Sequence, residues 1–175
     1  MEDQQKPTKK IALNYGLILG FTLILIAVVN YAMGNAYKQD WKIGVISYVI
    51  MAIIIFIGIK KYREANGGFL TMGQGLKTGV GIALIGAILS IIYTVIFMTV
   101  IEPDFIDKTM EIAHQNLLEN GSLSEEQIEA QMDISRKFSS PGIFAAVGLV
   151  WLTFLGFVFS MISSLILKKN EEDQY

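Results

Sequence analysis

The chain is 175 residues long, 53% hydrophobic and 17% charged, with a net charge of −2 and no cysteine. The apolar residues fall in long unbroken blocks that a soluble core does not require, and the mean hydropathy is +0.49. Disulfides, thiolate nucleophiles and cysteine-bound metals are excluded, and without a basic patch interleaved with aromatic residues nucleic acid is not an expected partner.

Residues 1–10 are polar and are expected to fray, with Lys6, Lys9 and Lys10 just ahead of a first apolar block at 11–33. A bilayer core of ~30 Å takes about 20 helical residues, so this block predicts a spanning helix. A cleaved signal peptide is the competing reading, with Lys9-Lys10 as its basic region and Ala32-Met33-Gly34 as its cleavage site. The block is much longer than the usual apolar region of about 7–15 residues. Gly34 and Asn35 supply a helix stop, and Tyr31, Tyr37 and Trp41 are aromatic residues at interface depth. A second block covers 43–59 and runs into Lys60, Lys61 and Arg63.

The glycine-rich run NGGFLTMGQGLKTGVGIALIG follows at 66–86. Asn66-Gly67-Gly68 reads as a turn, and 69–75 as a short interfacial helix or the frayed start of the third span. The uncharged third span is expected at 78–101, with Lys77 snorkelling at its edge and Glu102-Pro103 ending it.

Residues 102–141 hold nine acidic residues, three basic ones and the single histidine. Two amphipathic helices are predicted. Pro103 at the first helical position opens one, which carries Ile106, Met110, Ala113 and Leu117 at helical spacing and closes at Asn120-Gly121. The second opens with a Ser124–Gln127 capping box and has Ile128, Met132 and Phe138 on its apolar side. Ser140 as N-cap and Pro141 at the next position start the fourth block, 143–167, which Lys168-Lys169 closes ahead of a polar tail.

The expected fold is therefore all-α: an integral-membrane four-helix bundle, in one domain over 1–175, with a two-helix amphipathic extracytoplasmic insert at 102–141. Nine basic residues flank one set of span ends (Lys6, Lys9, Lys10, Lys60, Lys61, Arg63, Lys77, Lys168, Lys169). Five flank the other (Lys38, Lys42, Lys108, Arg136, Lys137). The positive-inside rule then places both termini in the cytoplasm. A duplicated two-span unit is a further possibility, since Gly16 and Gly20 in the first span echo Gly75 and Gly79 in the third.

At this point the residues resemble a known family. A basic end to the second span, then NGGFLTMGQGLKTGV, then a span ending IEPDF, an insert containing LSEEQIEAQM, and FSSP leading into the last span are similar to the DUF4199 family of small four-span membrane proteins of Bacteroidota. The order and spacing of these pieces over nearly the whole chain carry the resemblance, and no single piece is chemically specific. The resemblance implies architecture and no activity. It also implies a diderm bacterium, hence an inner (plasma) membrane with 102–141 in the periplasm.

The four blocks contain no Asp, Glu, Lys, Arg or His, the residues a proton-coupled carrier or intramembrane enzyme retains at a cost. Asn14, Asn30 and the hydroxyl residues read as helix–helix or interface hydrogen bonders. Small residues recur every four positions: Gly75, Gly79, Ala83 and Ala87 in the third span, and Gly148, Gly156, Ser160 and Ser164 in the fourth, with Leu152 interrupting. Gly16 and Gly20 form a GxxxG in the first. Such faces let membrane helices approach closely, which serves either internal packing or an oligomer interface. His114 with Glu111 and Glu119 is a weak metal constellation against a solvated helix face, and GQGLKTG lacks the spacing of a phosphate loop. No catalytic, metal or cofactor site is expected.

Three functions remain. The first is a non-enzymatic scaffold or accessory protein working through membrane lipid, or through membrane or periplasmic proteins at 102–141. The second is a small-solute transporter or channel subunit lined by Ser90, Thr94, Ser160 and Ser164. The third is a lipid-modifying enzyme, for which no nucleophile–base pair is visible.

Overall fold

The computed structural model describes residues 2–37 and 41–169, with side chains from Thr8 onward. Lys38 and the polar tail from Asn170 lie outside the described residues. Among those residues the chain forms six α-helices: α1 (Glu2–Ala32), α2 (Trp41–Ala65), α3 (Met72–Ile96), α4 (Phe105–Asn120), α5 (Glu125–Lys137) and α6 (Pro141–Leu167). One π-helical turn, Phe97–Ile101, continues α3. The only strand-like pairing among them is an isolated antiparallel bridge, Leu70 with Lys169.

Four stretches are long and apolar enough to cross a membrane: Thr8–Ala32, Trp41–Ala65, Met72–Ile101 and Pro141–Leu167. They reach past the apolar blocks because helix ends are set by caps and turns rather than by hydropathy. The third starts well before residue 78. Thr71 accepts from the Gln74 amide, and the Gln74 side chain accepts from the Thr71 amide, a complete capping box. Residues 2–10, expected to fray, are the first turns of α1.

α2 and α3 form the inner pair, and α1 and α6 lie on opposite flanks. α3 packs along α1 on one side and along α6 on the other, whereas α1 and α2 touch much less. Large apolar side chains such as Phe21, Leu25, Val49, Ile53, Val150 and Phe154 face outward, as lipid-facing residues do. The core of Leu19, Met51, Ile55, Ile59, Tyr62, Leu70 and Ile82 lies toward the end that carries the chain termini.

That end is strapped shut. Gly67 and Gly68 adopt φ of +69° and +89°, which turns the chain back so that the Arg63 guanidinium reaches the Gly68 and Leu167 carbonyls. The Leu70 and Lys169 main chains exchange both hydrogen bonds, at 2.9 and 3.0 Å. Gly68→Ala places a Cβ in the left-handed region and is expected to cost roughly 1–2 kcal/mol, read as a lower melting temperature in detergent.

The segment 102–141 forms α4 and α5, which pack on each other with Ile128 and Met132 buried in the seam. The Ser124–Gln127 capping box is present, Gly121 closes α4 at φ +60°, and Ser140 caps α6 ahead of Pro141. Two expectations need correction. Pro103 is not the first helical residue: α4 begins at Phe105, because Glu102 is held by side-chain contacts and its carbonyl accepts the Phe105 amide. Phe138 is not on a buried face; it caps α5 and is 64% exposed.

Candidate functional site: a glutamate node above a polar cavity

The π turn that ends α3 closes with the Glu102 amide donating to the Phe97 carbonyl at 2.8 Å, the wider register that often marks a functional position in a helix. Glu102 leaves the helix there, and its carboxylate accepts from three donors. Tyr31 Oη of α1 lies 2.8 Å from Oε2, and Tyr37 Oη of the α1–α2 loop lies 2.7 Å from Oε1. Lys108 Nζ of α4 lies 2.5 Å from Oε1. The Lys108 hydrogen bond, then those from Tyr37 and Tyr31, hold the carboxyl down at about 2 from an ordinary 4.5. The same bond raises Lys108, while desolvation and then the bond to Glu102 raise Tyr37.

Aromatic rings close the space around this node. Tyr31 meets Phe97 edge-on at 5.1 Å, Phe105 meets Phe97 edge-on at 5.3 Å and stacks on Tyr37 at 5.5 Å, and Tyr93 stacks on Phe97 at 6.1 Å. One carboxylate and one phenylalanine thus join α1, the loop after it, α3 and α4.

Next to the Tyr93 ring, among the spans, is a cavity of about 290 Å³. It is bounded by α1 (Leu23, Ala27, Asn30), α2 (Ile43, Ser47), α3 (Ser90, Tyr93, Thr94) and Leu152 of α6. No charged side chain lines it. Asn30 and Ile43 also line a second, open hollow of about 470 Å³ between α1 and α2, whose other walls include Leu25, Val29, Met33 and Ile46.

The polar atoms of the spans divide into two groups. Ser47, Thr78, Thr94, Ser160 and Ser164 each donate to the carbonyl four residues back, the usual way a hydroxyl satisfies itself in a helix. Asn30 Oδ1, Ser90 Oγ and Thr153 Oγ1 are buried without a partner. In hydrocarbon each such atom costs roughly a few kcal/mol. Asn30 is therefore not the helix–helix hydrogen bonder its position suggested.

The small residues of the spans are spent on backbone approach. A Cβ on Gly75 would lie 2.9 Å from Ser164 Cβ, one on Gly79 would lie 2.7 Å from Ser160 Cβ, and one on Gly156 would overlap Ala83. These contacts seat α6 on α3. Gly16 and Gly20 face α3 instead, where a Cβ would meet Ile85 at 2.6 Å and Leu89 at 2.7 Å. Ala83 and Ala87 are buried. Gly148 is the exception: an added Cβ there meets nothing within 4 Å.

Of the four residues expected to line a solute path, Ser90 and Thr94 border the cavity, whereas Ser160 and Ser164 are fully buried against glycines. His114 and Glu111 line a separate hollow between α4 and α5 with Asp107 and Arg136. Glu119 is exposed, and among the described residues no three His, Cys, Asp or Glu side chains gather as a metal set.

A family model described as "Protein of unknown function (DUF4199)" matches residues 14–169. No curated protein and no solved structure matches the chain.

Proposed function

We propose, since this chain belongs to the DUF4199 family, that it is a non-enzymatic multi-pass membrane protein acting through lipid and protein contacts. In this reading it sits in a bacterial inner membrane with both termini in the cytoplasm and α4–α5 on the far side. The observation that carries it is the seating of Ser160 on Gly79 and of Ser164 on Gly75. A transporter of polar solutes needs hydroxyls that face water at some stage of its cycle. Here Ser160 and Ser164 are fully buried and bonded to their own helix, so the half of the bundle nearest the termini supports a packed scaffold over a path.

Threading is tested by reporter fusions at Asn120, in the loop after α4. Alkaline phosphatase is expected to be active there and GFP dark; the reverse pattern inverts the orientation. Contacts are read by crosslinking in native membranes followed by co-purification. An isolated monomer with no enriched lipid or protein counts against the proposal.

A further inference from the structure

We infer that the cavity at Asn30 and Ser90 is a lateral binding site for a neutral membrane amphiphile, which enters from the bilayer between α1 and α2 and hydrogen-bonds these two residues through a hydroxyl or amide. The inference rests on the lipid-contact reading above and names the chemistry of the lipid.

Three observations converge on it. Ser47, Thr78, Thr94, Ser160 and Ser164 satisfy themselves on their own helix, but Asn30 Oδ1 and Ser90 Oγ are buried, unpaired and border the same cavity. The third unpaired atom, Thr153 Oγ1, lies on α6 outside the lining of this cavity. Buried polar atoms left open at one cavity mark a place for a partner with matching polarity.

The way in is apolar. The hollow between α1 and α2 shares Asn30, Ile26 and Ile43 with the cavity, and its other walls include Leu25, Val29, Met33 and Ile46. Val29, Met33 and Ile46 are 48%, 69% and 52% exposed, so this opening lies on the outside of the bundle, with Asn35 of the loop after α1 at its rim. Of the rings around the Glu102 node, Tyr93 lines the cavity and stacks on Phe97, which meets Tyr31 edge-on. A ligand arriving through hydrocarbon to a site without charged walls is one with an apolar body and an uncharged hydrogen-bonding head. The cavity of about 290 Å³ and the hollow of about 470 Å³ fall in the usual range of small-molecule sites.

The test uses the full chain in lipid nanodiscs with a monoacylglycerol bearing a diazirine and an alkyne on its acyl chain. Adducts are expected on the segments 23–33, 43–47 and 90–94. Unlabelled monoacylglycerol should compete, and a fatty acid of the same chain length should compete far less, since its carboxylate finds no cationic wall. Ser90→Ala, which leaves the space open, should lower labelling about fivefold, the worth of one hydrogen bond. Ser90→Leu, which fills the cavity, should abolish it. Adducts spread evenly over outward positions such as Val150 and Phe154, or equal competition by the fatty acid, would overturn the inference without recourse to any variant.

A water-filled cavity is distinguished by thiol access in this cysteine-free chain. Reaction of Ser90→Cys with a membrane-impermeant thiol reagent, unaffected by the amphiphile, overturns the amphiphile site and leaves the lipid-contact reading in place. Reaction at both Ser90→Cys and Ser160→Cys overturns that reading as well, because an aqueous path then crosses the bundle.

Discussion

Gly79→Leu is expected to break the seating of α6 on α3 and to lower the melting temperature in detergent by about 2–12 °C. A Cβ at this position would overlap Ser160 Oγ, lie 2.7 Å from Ser160 Cβ and 2.9 Å from Ile59 Cδ1. The Ser160 hydroxyl has nowhere to turn, since it is fully buried and already bonded to the Gly156 carbonyl. Overpacking of this kind costs about 1–3 kcal/mol in a dense interior, and a loss of that size moves the transition of a chain of this length by roughly 2–4 °C per kcal/mol. Gly148→Ala on α6, the helix that α3 seats, is the control. Its new methyl meets nothing within 4 Å, so its transition should stay with the parent. Unchanged stability in Gly79→Leu would mean that the Gly75–Gly79 face serves something other than internal packing.

The second large effect is expected at Glu102. Glu102→Gln keeps the shape of the side chain and removes the charge that Lys108, Tyr37 and Tyr31 share. The amides of residues 97–105 should lose hydrogen-exchange protection severalfold at pH 7, because Glu102 supplies the hydrogen bonds that tie the π turn and the start of α4 to α1, and without them only the Phe97 ring contacts are left. The pH dependence follows from the depressed folded value of about 2 against an ordinary 4.5. A carboxyl shifted downward stabilises the folded state fully above its unfolded value, and that contribution is lost as pH falls toward the folded one. Wild-type protection should hold from pH 7 to about 5 and then decline between about 4.5 and 2, converging on the Glu102→Gln variant, whose own protection lacks this step. Parallel profiles in the two proteins would show that the carboxylate is not the group that ties these elements.

What could be read in the residues was what local chemistry determines. The four spans follow from uncharged length alone, and the caps at Ser124, Gly121 and Ser140 from patterns complete within a few residues. Thr71 shows the limit of attention rather than of physics: its Thr-Met-Gly-Gln spacing is the same capping signal as Ser124, but the surrounding glycines draw the eye to a loop.

The node and the cavity were not legible. Tyr31 and Tyr37 are separated from Glu102 by 71 and 65 positions, and nothing in IEPDF says which tyrosines it meets. Asn30, in the same way, looked like any interfacial asparagine; only the packing of the spans leaves its Oδ1 unpaired beside Ser90. The small-residue periodicity identified residues fit for close approach but not their partners. Gly16 and Gly20 face α1's neighbour α3, while Gly75 and Gly79 face α6, so the similar spacing in the two spans serves different contacts.

The bridge between Leu70 and Lys169 also has a bearing on biogenesis. Lys169 leaves the ribosome long after Leu70, yet its main chain completes the pairing of that earlier loop. Until α6 is released into the bilayer, the Gly75–Gly79–Ala83 groove on α3 has no occupant from its own chain. Nascent chains stalled before α6 therefore present a helix-sized vacancy to whatever span diffuses past. Quality control in the membrane has a clear mark to read there: a groove of small residues that stays open until α6 fills it.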